Sequence, residues 1–215
     1  MTKYQDKYRV ESCRLKNWDY SADGYYFVTI CVENGGHCFG QVKDFKMYLS
    51  EIGAVVKNEW LKTGEIRKNV ILDEFVIMPN HIHTIIIINS NNKPIDKITF
   101  RDEVESLWDM NTPASIINLA KTPCRDEAAP RLYNEVGDKL KRISPKPNSL
   151  SSILGSFKSA CTKKIRTLGY DFEWQERFYD NVIRNEEALY RIRQYIIENP
   201  EKWERDRNNP KGLFI

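Results

Sequence analysis

Four consecutive isoleucines, Ile85 to Ile88, follow His81-Ile82-His83-Thr84 and constrain the fold of this chain more than any other feature. Successive side chains of a strand point to opposite faces, so a run of this kind is apolar on both. Leaving either face in water would forgo the free energy gained by burying isoleucine. Residues 81–88 are therefore predicted to form a central strand of a sheet covered on both sides.

The neighbouring elements follow from their apolar spacing. Runs rich in β-branched and aromatic residues predict strands, and apolar residues recurring every three or four positions predict helices. Pro79-Asn80 predicts a tight connection into the isoleucine strand. Strands are predicted at 24–33, 70–78, 81–88 and 178–183, and helices from Leu49 to Gly64, over 150–168 up to Gly169, and after Asn185.

The order of these elements is β-α-β-β-α-β-α, which indicates an α+β fold. A ferredoxin-like βαββαβ antiparallel sheet with helices on one face and an added C-terminal helix fits it best. The length of 215 residues predicts a single domain. Six of the nine prolines fall between residues 89 and 148, which predicts a variable insertion after the third strand.

Composition excludes several classes of protein. With 41% hydrophobic and 29% charged residues the chain is neither disordered nor collagen-like. Its apolar runs are too short to span a bilayer, and its first residues lack the apolar stretch of a signal peptide. Five cysteines without a Cys-x-x-Cys pair disfavour a disulfide framework or zinc finger. We expect a cytoplasmic protein with reduced thiols and no membrane partner.

Positive charge is concentrated in the last third of the chain. Residues 139–215 carry 16 Lys and Arg against 10 Asp and Glu, and residues 139–170 contain no acid. A segment whose charges are all positive attracts polyanions, although a helix face exposed to solvent gives the same sequence pattern. The cations expected outside the apolar stripe of helix 150–168 are Lys158, Lys163, Lys164 and Arg166.

His81 and His83 are the candidate metal ligands. Two residues apart on a strand, both imidazoles point to the same face, which gives half of a metal site. A hydrogen-bonded pair of structural histidines is the alternative. No histidine follows His83, so further ligands would have to be oxygen donors. Such a set favours a catalytic Mg²⁺ or Mn²⁺ over a structural zinc.

Tyr195 and Asn199 are four residues apart in the last predicted helix and so share one face. The line of residues 188, 192, 195 and 199 begins apolar and ends polar. With eleven tyrosines in the chain this spacing is weak by itself. A tyrosine packed at the edge of the core and an asparagine capping the helix before Pro200 would give the same pattern.

Four segments together resemble the REP-associated tyrosine transposases. These are relatives of small single-strand DNA transposases with a histidine–hydrophobe–histidine motif and one catalytic tyrosine. The resemblance extends from about residue 25 to 203, without 89–148. The segments are Phe75-Val76-Ile77-Met78-Pro79-Asn80-His81-Ile82-His83, Trp174-Gln175-Glu176-Arg177-Phe178-Tyr179-Asp180, Ile183-Arg184-Asn185 and Tyr195-Ile196-Ile197-Glu198-Asn199-Pro200.

The resemblance implies a role for each matching residue. His81 and His83 match the metal-binding pair, and Tyr195 matches the nucleophile that forms a 5′-phosphotyrosine. Asn199 stands where relatives place a polar metal ligand, often the longer Gln. The implied partner is single-stranded DNA folded into an imperfect palindromic hairpin.

Arg177 and Arg184 are predicted to contact DNA phosphates. Relatives include dimers and monomers, so a homodimer stays open. Two alternatives to strand transfer are a regulatory DNA-binding module that no longer cleaves, and a metal-dependent hydrolase in which water attacks and Tyr195 is structural.

Overall fold

The computed structural model describes residues 14, 15, 17–90, 145–206, 208 and 209. Most of the predicted insertion therefore lies outside the described residues. The elements are β1 (Gly24–Cys31), β2 (Gly40–Lys43), β3 (Lys46–Leu49), α1 (Glu51–Ile66), β4 (Val70–Ile77), β5 (His81–Ile88), α2 (Leu150–Thr167), β6 (Tyr179–Ile183) and α3 (Glu186–Ile197).

Four strands form one antiparallel sheet in the order β4-β5-β1-β6. This order, with α1 and α2 as the crossover connections, confirms the predicted α+β class and βαββαβ topology. Strand β5 lies inside the sheet, as its isoleucines required. The hairpin of β2 and β3 is a separate two-stranded unit that was not expected from the sequence.

Alternate side chains of β1 and β5 enter two different cores. Tyr26, Val28 and Ile86 belong to the core that also contains the buried residues of α1 and α2. On the other face, Ile85 packs with the buried residues of α3. The sheet thus has α1 and α2 on one face and α3 on the other, which buries β5 along its whole length.

Side-chain caps fix where the helices begin. Ser50, Ser149 and Asn185 are the N-caps of α1, α2 and α3, and each accepts a hydrogen bond from a backbone N–H of the first turn. After α2, Gly169 adopts a φ of 88°, as the predicted helix end requires. The predicted end of α1 at Gly64 is wrong: the helix continues to Ile66, and Gly64 lies inside it, close to the Leu72 side chain.

Two contacts hold the turn that precedes β5. The Phe39 N–H donates to the Pro79 carbonyl at 2.9 Å, and the Val32 N–H donates to the Asn80 carbonyl at 2.9 Å. The chain between β1 and β2 is therefore bonded to the residues immediately before His81. This fixes the end of the sheet at which β1 finishes and β5 begins.

An ion pair holds α3 against the outer strand β4. The Arg193 guanidinium donates to both carboxylate oxygens of Asp73, from Nε to Oδ1 at 3.1 Å and from Nη2 to Oδ2 at 2.5 Å. Asp73 lies where the register of β4 shifts between Leu72 and Phe75. Two parallel bonds from one guanidinium restrict rotation as well as distance, so the pair sets the orientation of α3.

Among the described helices, none is long and apolar enough to cross a membrane.

Two glycines in helices should respond oppositely to alanine. A Cβ on Gly53 in α1 would lie 2.1 Å from the Phe39 carbonyl oxygen, whereas one on Gly155 in α2 would meet nothing within 4 Å. We expect Gly53→Ala to destabilise the fold by about 1–3 kcal/mol. Gly155→Ala should stabilise it by about 0.5–1 kcal/mol through helix propensity. Urea unfolding of both variants tests this, and equal effects would contradict the close approach of α1 to Phe39.

Candidate metal centre

The two histidines lie side by side on the face of the sheet that α3 covers. His81 and His83 are 0% and 3% exposed. Their Nε2 atoms are 3.0 Å apart. Both rings lie on one face of the sheet because His81 and His83 are two residues apart in β5. Burial leaves the rings little freedom to rotate. Two ring nitrogens therefore converge on one point at the end of the sheet.

Asn80 sets the tautomer of His81. The Asn80 Nδ2 donates to the carbonyls of Gly35 at 3.1 Å and Asn208 at 2.5 Å, which leaves Oδ1 as the acceptor. Oδ1 is 2.9 Å from His81 Nδ1. His81 Nδ1 must therefore carry the proton, so its Nε2 presents a lone pair. This is how second partners orient histidines that bind metals.

Thr29 holds the second imidazole. It is the cross-strand partner of His83 in the β1–β5 register, and its Oγ1 lies 2.8 Å from His83 Nδ1. A hydroxyl can donate or accept, so this contact is compatible with either tautomer of His83. When Nδ1 donates to Thr29, the Nε2 of His83 also presents a lone pair.

Asp206 supplies a carboxylate to the pair. Its Oδ2 is 4.0 Å from His81 Nε2, and His81, His83 and Asp206 form a group whose ligand atoms all lie within 4.8 Å of one another. The other oxygen, Oδ1, accepts the Asn208 N–H at 2.7 Å, which turns Oδ2 toward the histidines. The carboxylate comes from the segment after α3, directly after the short turn Trp203–Arg205.

Burial keeps both imidazoles uncharged at neutral pH. It lowers the pKa of His81 to about 3, with a smaller contribution from His37. The pKa of His83 also lies well below its usual value, again through burial and then through His81, with Asp206 acting in the opposite direction. Neutral imidazole is the form that binds metal ions.

This donor set fits a divalent cation. Two nitrogens bound in adjacent positions at about 2.1 Å from one ion would lie about 3 Å apart, in agreement with the Nε2 separation. Nitrogen from two neutral imidazoles with oxygen from Asp206 gives a mixed set that suits several divalent ions. His81, His83 and Asp206 could therefore hold a metal ion.

The structure brings Tyr195 to the histidine pair. Its hydroxyl oxygen is 3.2 Å from His83 Nε2. The ring makes an edge contact with Phe27, with centroids 6.1 Å apart, and it is only partly buried. Helix α3 packs on the face of the sheet that carries the histidines, and it thus brings the Tyr195 hydroxyl to the Nε2 edge of the imidazoles. Its role as the nucleophile stays a prediction.

Asn199 follows α3 and is buried. Its backbone N–H donates to the Ile196 carbonyl, and its own carbonyl accepts from Lys202. The side-chain Oδ1 has no hydrogen-bond partner among the described residues. A buried amide oxygen without a partner is costly in a folded protein, and a cation would satisfy it. The structure gives no contact between Asn199 and the histidines, so its role as a ligand stays a prediction.

Several of the six predicted DNA contacts are engaged within the protein, among them Lys158, Lys164 and Arg166. The Lys158 ammonium donates to the carbonyls of residues 175–177, at 2.5 Å for Gln175, and burial lowers its pKa to about 8. Lys164 forms an ion pair with Glu59. Arg166 lies 3.3 Å from the Glu173 carboxylate. Lys163 and Arg177 are exposed and Arg184 is partly exposed.

Sequence reasoning missed three residues of the centre. Asp206 stands in a mixed run of charges, Glu204-Arg205-Asp206-Arg207, that gives no sign of a ligand. Thr29 appears as an ordinary strand residue, and its partnership with His83 depends on strand register. Asn80 carried a detectable signal, because it directly precedes His81 in the quoted motif.

No protein-family model matches this chain. An uncharacterized protein of Haemophilus influenzae is 31% identical over 196 residues, which are 91% of this chain and 90% of that protein. The solved structure of a REP-associated tyrosine transposase bound to a REP hairpin covers 94% of this chain and 74% of that chain, with a TM-score of 0.47 and 16% identity. That structural similarity is too distant to assign a function.

The support that Thr29 gives to His83 can be tested with two valines. We expect Thr29→Val to weaken Mn²⁺ binding about 10- to 100-fold, because His83 loses the partner of its Nδ1. Thr84→Val is the matched control, since Thr84 is also buried in the sheet and its hydroxyl has no partner among the described residues. Isothermal titration with Mn²⁺ measures both, and equal affinities would show that Thr29 gives His83 no support in metal binding.

Proposed function

This chain belongs to the family of the Haemophilus influenzae protein, and we propose that it is a metal-dependent endonuclease and strand transferase. Its substrate would be single-stranded DNA folded into hairpins, and its intermediate a 5′-phosphotyrosine. The contact between the Tyr195 hydroxyl and His83 Nε2 carries the proposal, because it brings a phenol beside residues that could hold a metal ion. The motif resemblance to the REP-associated tyrosine transposases supports the same assignment.

The ligands of the metal would be His81, His83 and Asp206, with the Asn199 oxygen as a further candidate. A bound Mg²⁺ or Mn²⁺ would polarise the scissile phosphate and stabilise the negative charge that develops on it. Asn80 and Thr29 keep the imidazoles aimed at the point where the Nε2 atoms converge. The rings then need no reorganisation when substrate arrives.

Tyr195 would attack the phosphorus in line with the departing 3′ oxygen. The bond from the phenolic oxygen to phosphorus forms as the bond from phosphorus to the 3′ oxygen breaks. The phenolic proton leaves to water, and the 3′ oxygen becomes a hydroxyl by taking up a proton. One phosphoester replaces another, so reversal with a second 3′ hydroxyl rejoins a strand without an energy source.

Two features of the fold place the phenol. Asp73 and Arg193 orient α3 against β4, and Phe27 supports the edge of the Tyr195 ring. Holding a nucleophile near its target replaces a costly encounter with a prepared geometry. Tyr195 is only partly buried, which is compatible with an approach of DNA from solvent.

Formation of a covalent adduct tests the assignment of Tyr195. Hairpin DNA with single-stranded flanks is labelled at its 3′ end, since the fragment attached through its 5′ phosphate retains that end. With Mn²⁺ we expect a labelled band on the protein that survives denaturation, and Tyr195→Phe should reduce it at least 10³-fold. Tyr190→Phe, on the same helix and 64% exposed, is the matched control and should leave it unchanged.

The other outcomes point to the rival functions. DNA binding without cleavage or adduct would support a regulatory module. Cleavage with no adduct, retained in Tyr195→Phe, would support a hydrolase that uses water. An adduct that is retained in Tyr195→Phe but lost in Tyr179→Phe would identify a different nucleophile.

A further inference from the structure

The tip of the β2–β3 hairpin has an unusual turn. Asp44 and Phe45 form the two-residue connection, with φ angles of 48° and 60°. Both central residues of such a turn require positive φ, for which Asn-Gly is the preferred sequence. A bulky side chain such as that of Phe45 is rarely found in this backbone region. Glycine would fit the same position without strain.

The strained residue gains no packing in return. The Phe45 side chain is 69% exposed, the second most exposed of the large hydrophobic residues in the described part of the chain. Tyr48, on the solvent face of β3, is 51% exposed. Strain without compensating burial suggests that the ring serves a contact outside this fold.

Two lysines frame the aromatic tip. Lys43 and Lys46 are direct cross-strand partners, which places like charges opposite each other. Neither forms an ion pair with any residue in the described ranges. Met47 points the other way and packs against the core, which anchors the hairpin. The tip therefore combines an exposed ring with two lysines that form no ion pair within the described ranges, and the exposed carboxylate of Asp44 in the same turn leaves it a net charge of +1.

This combination suits single-stranded nucleic acid. An unpaired base can stack on the exposed aromatic ring, and the neighbouring phosphates can pair with the two lysines. An apolar protein partner would match the ring but would leave the lysine pair unneutralised.

The hairpin also starts at the end of the sheet that carries the metal ligands. Phe39 directly precedes β2, and its N–H bonds to Pro79, two residues before His81. Two strands of four residues extend the chain by about 13 Å from that point. The base of the hairpin is therefore bonded to the turn that leads into the histidines, while its inward side chain Met47 packs on the α1–α2 side of the sheet.

We infer that the β2–β3 tip is a single-stranded DNA contact in which Phe45 stacks on an unpaired base while Lys43 and Lys46 bind the adjacent phosphates. The inference rests on the proposed function for its substrate. It adds a binding element outside the metal centre and outside the basic stretch 139–170.

Binding is measured by fluorescence anisotropy in EDTA, so that cleavage plays no part. The probe is a DNA stem–loop with single-stranded tails on both sides. We expect Phe45→Gly to weaken binding about 5- to 150-fold through the lost stacking. The same variant should unfold at an equal or higher temperature than the wild type, because glycine relieves the turn. Phe45→Trp should keep the affinity.

Three controls isolate the contact. Tyr190→Ala removes another exposed aromatic and should not change the affinity. On a blunt stem–loop without tails, Phe45→Gly and wild type should bind equally. Lys43→Gln and Lys46→Gln should each lower the slope of log affinity against log salt by about 0.7, whereas the exposed Lys57→Gln should not.

Equal binding of Phe45→Gly and wild type to the tailed probe would overturn the inference, as would an equal loss on the blunt probe. If wild type still forms the Tyr195 adduct in that case, the proposed function stands and only the hairpin contact fails. A wild-type protein that binds neither probe and forms no adduct would refute both.

Discussion

The convergence of two neutral imidazoles inside a covered sheet is the interaction on which the candidate site depends. An imidazole in water titrates near neutral pH and rotates freely. Here burial removes the charge, and Asn80 and Thr29 fix the rings from behind. The helix α3 that excludes water from the histidines also delivers Tyr195 to them. Burial and chemistry therefore arise from a single packing arrangement.

Much of the fold follows from periodicity in the sequence. The isoleucine run required a strand covered on both faces, and β5 is such a strand. The spacing of 3 and 4 from Leu150 onward defined α2 within one residue of its observed end. These predictions succeed because burial of a repeating apolar face dominates the stability of long elements. The His81–His83 geometry followed from the same period of two.

The parts that sequence could not supply depend on tertiary contacts. The β2–β3 hairpin lacks an Asn-Gly or Asp-Gly turn, so its strands carried no turn signal. Asp206 reaches the histidines because Asn80 binds the Asn208 carbonyl and ties the last described segment to the turn before β5. Nothing in residues 204–207 distinguishes that carboxylate from its charged neighbours. Long-range hydrogen bonds of this kind leave no local pattern.

The charge pattern of the sequence likewise could not show which cations the fold leaves available to a polyanion. The basic stretch predicted a cationic surface, yet Lys158, Lys164 and Arg166 are engaged by carbonyls or carboxylates of the protein. Burial alone would raise the pKa of Glu59, but hydrogen bonds from Lys164 and Lys62 hold it below its usual value. The partly buried Lys158 ammonium would have to give up three backbone carbonyls before it could bind a phosphate. Lys43 and Lys46, outside the basic stretch, face each other and have no such partner in the described part of the chain. Attraction for a polyanion therefore depends on which charges the fold leaves unpaired, more than on how many a segment contains.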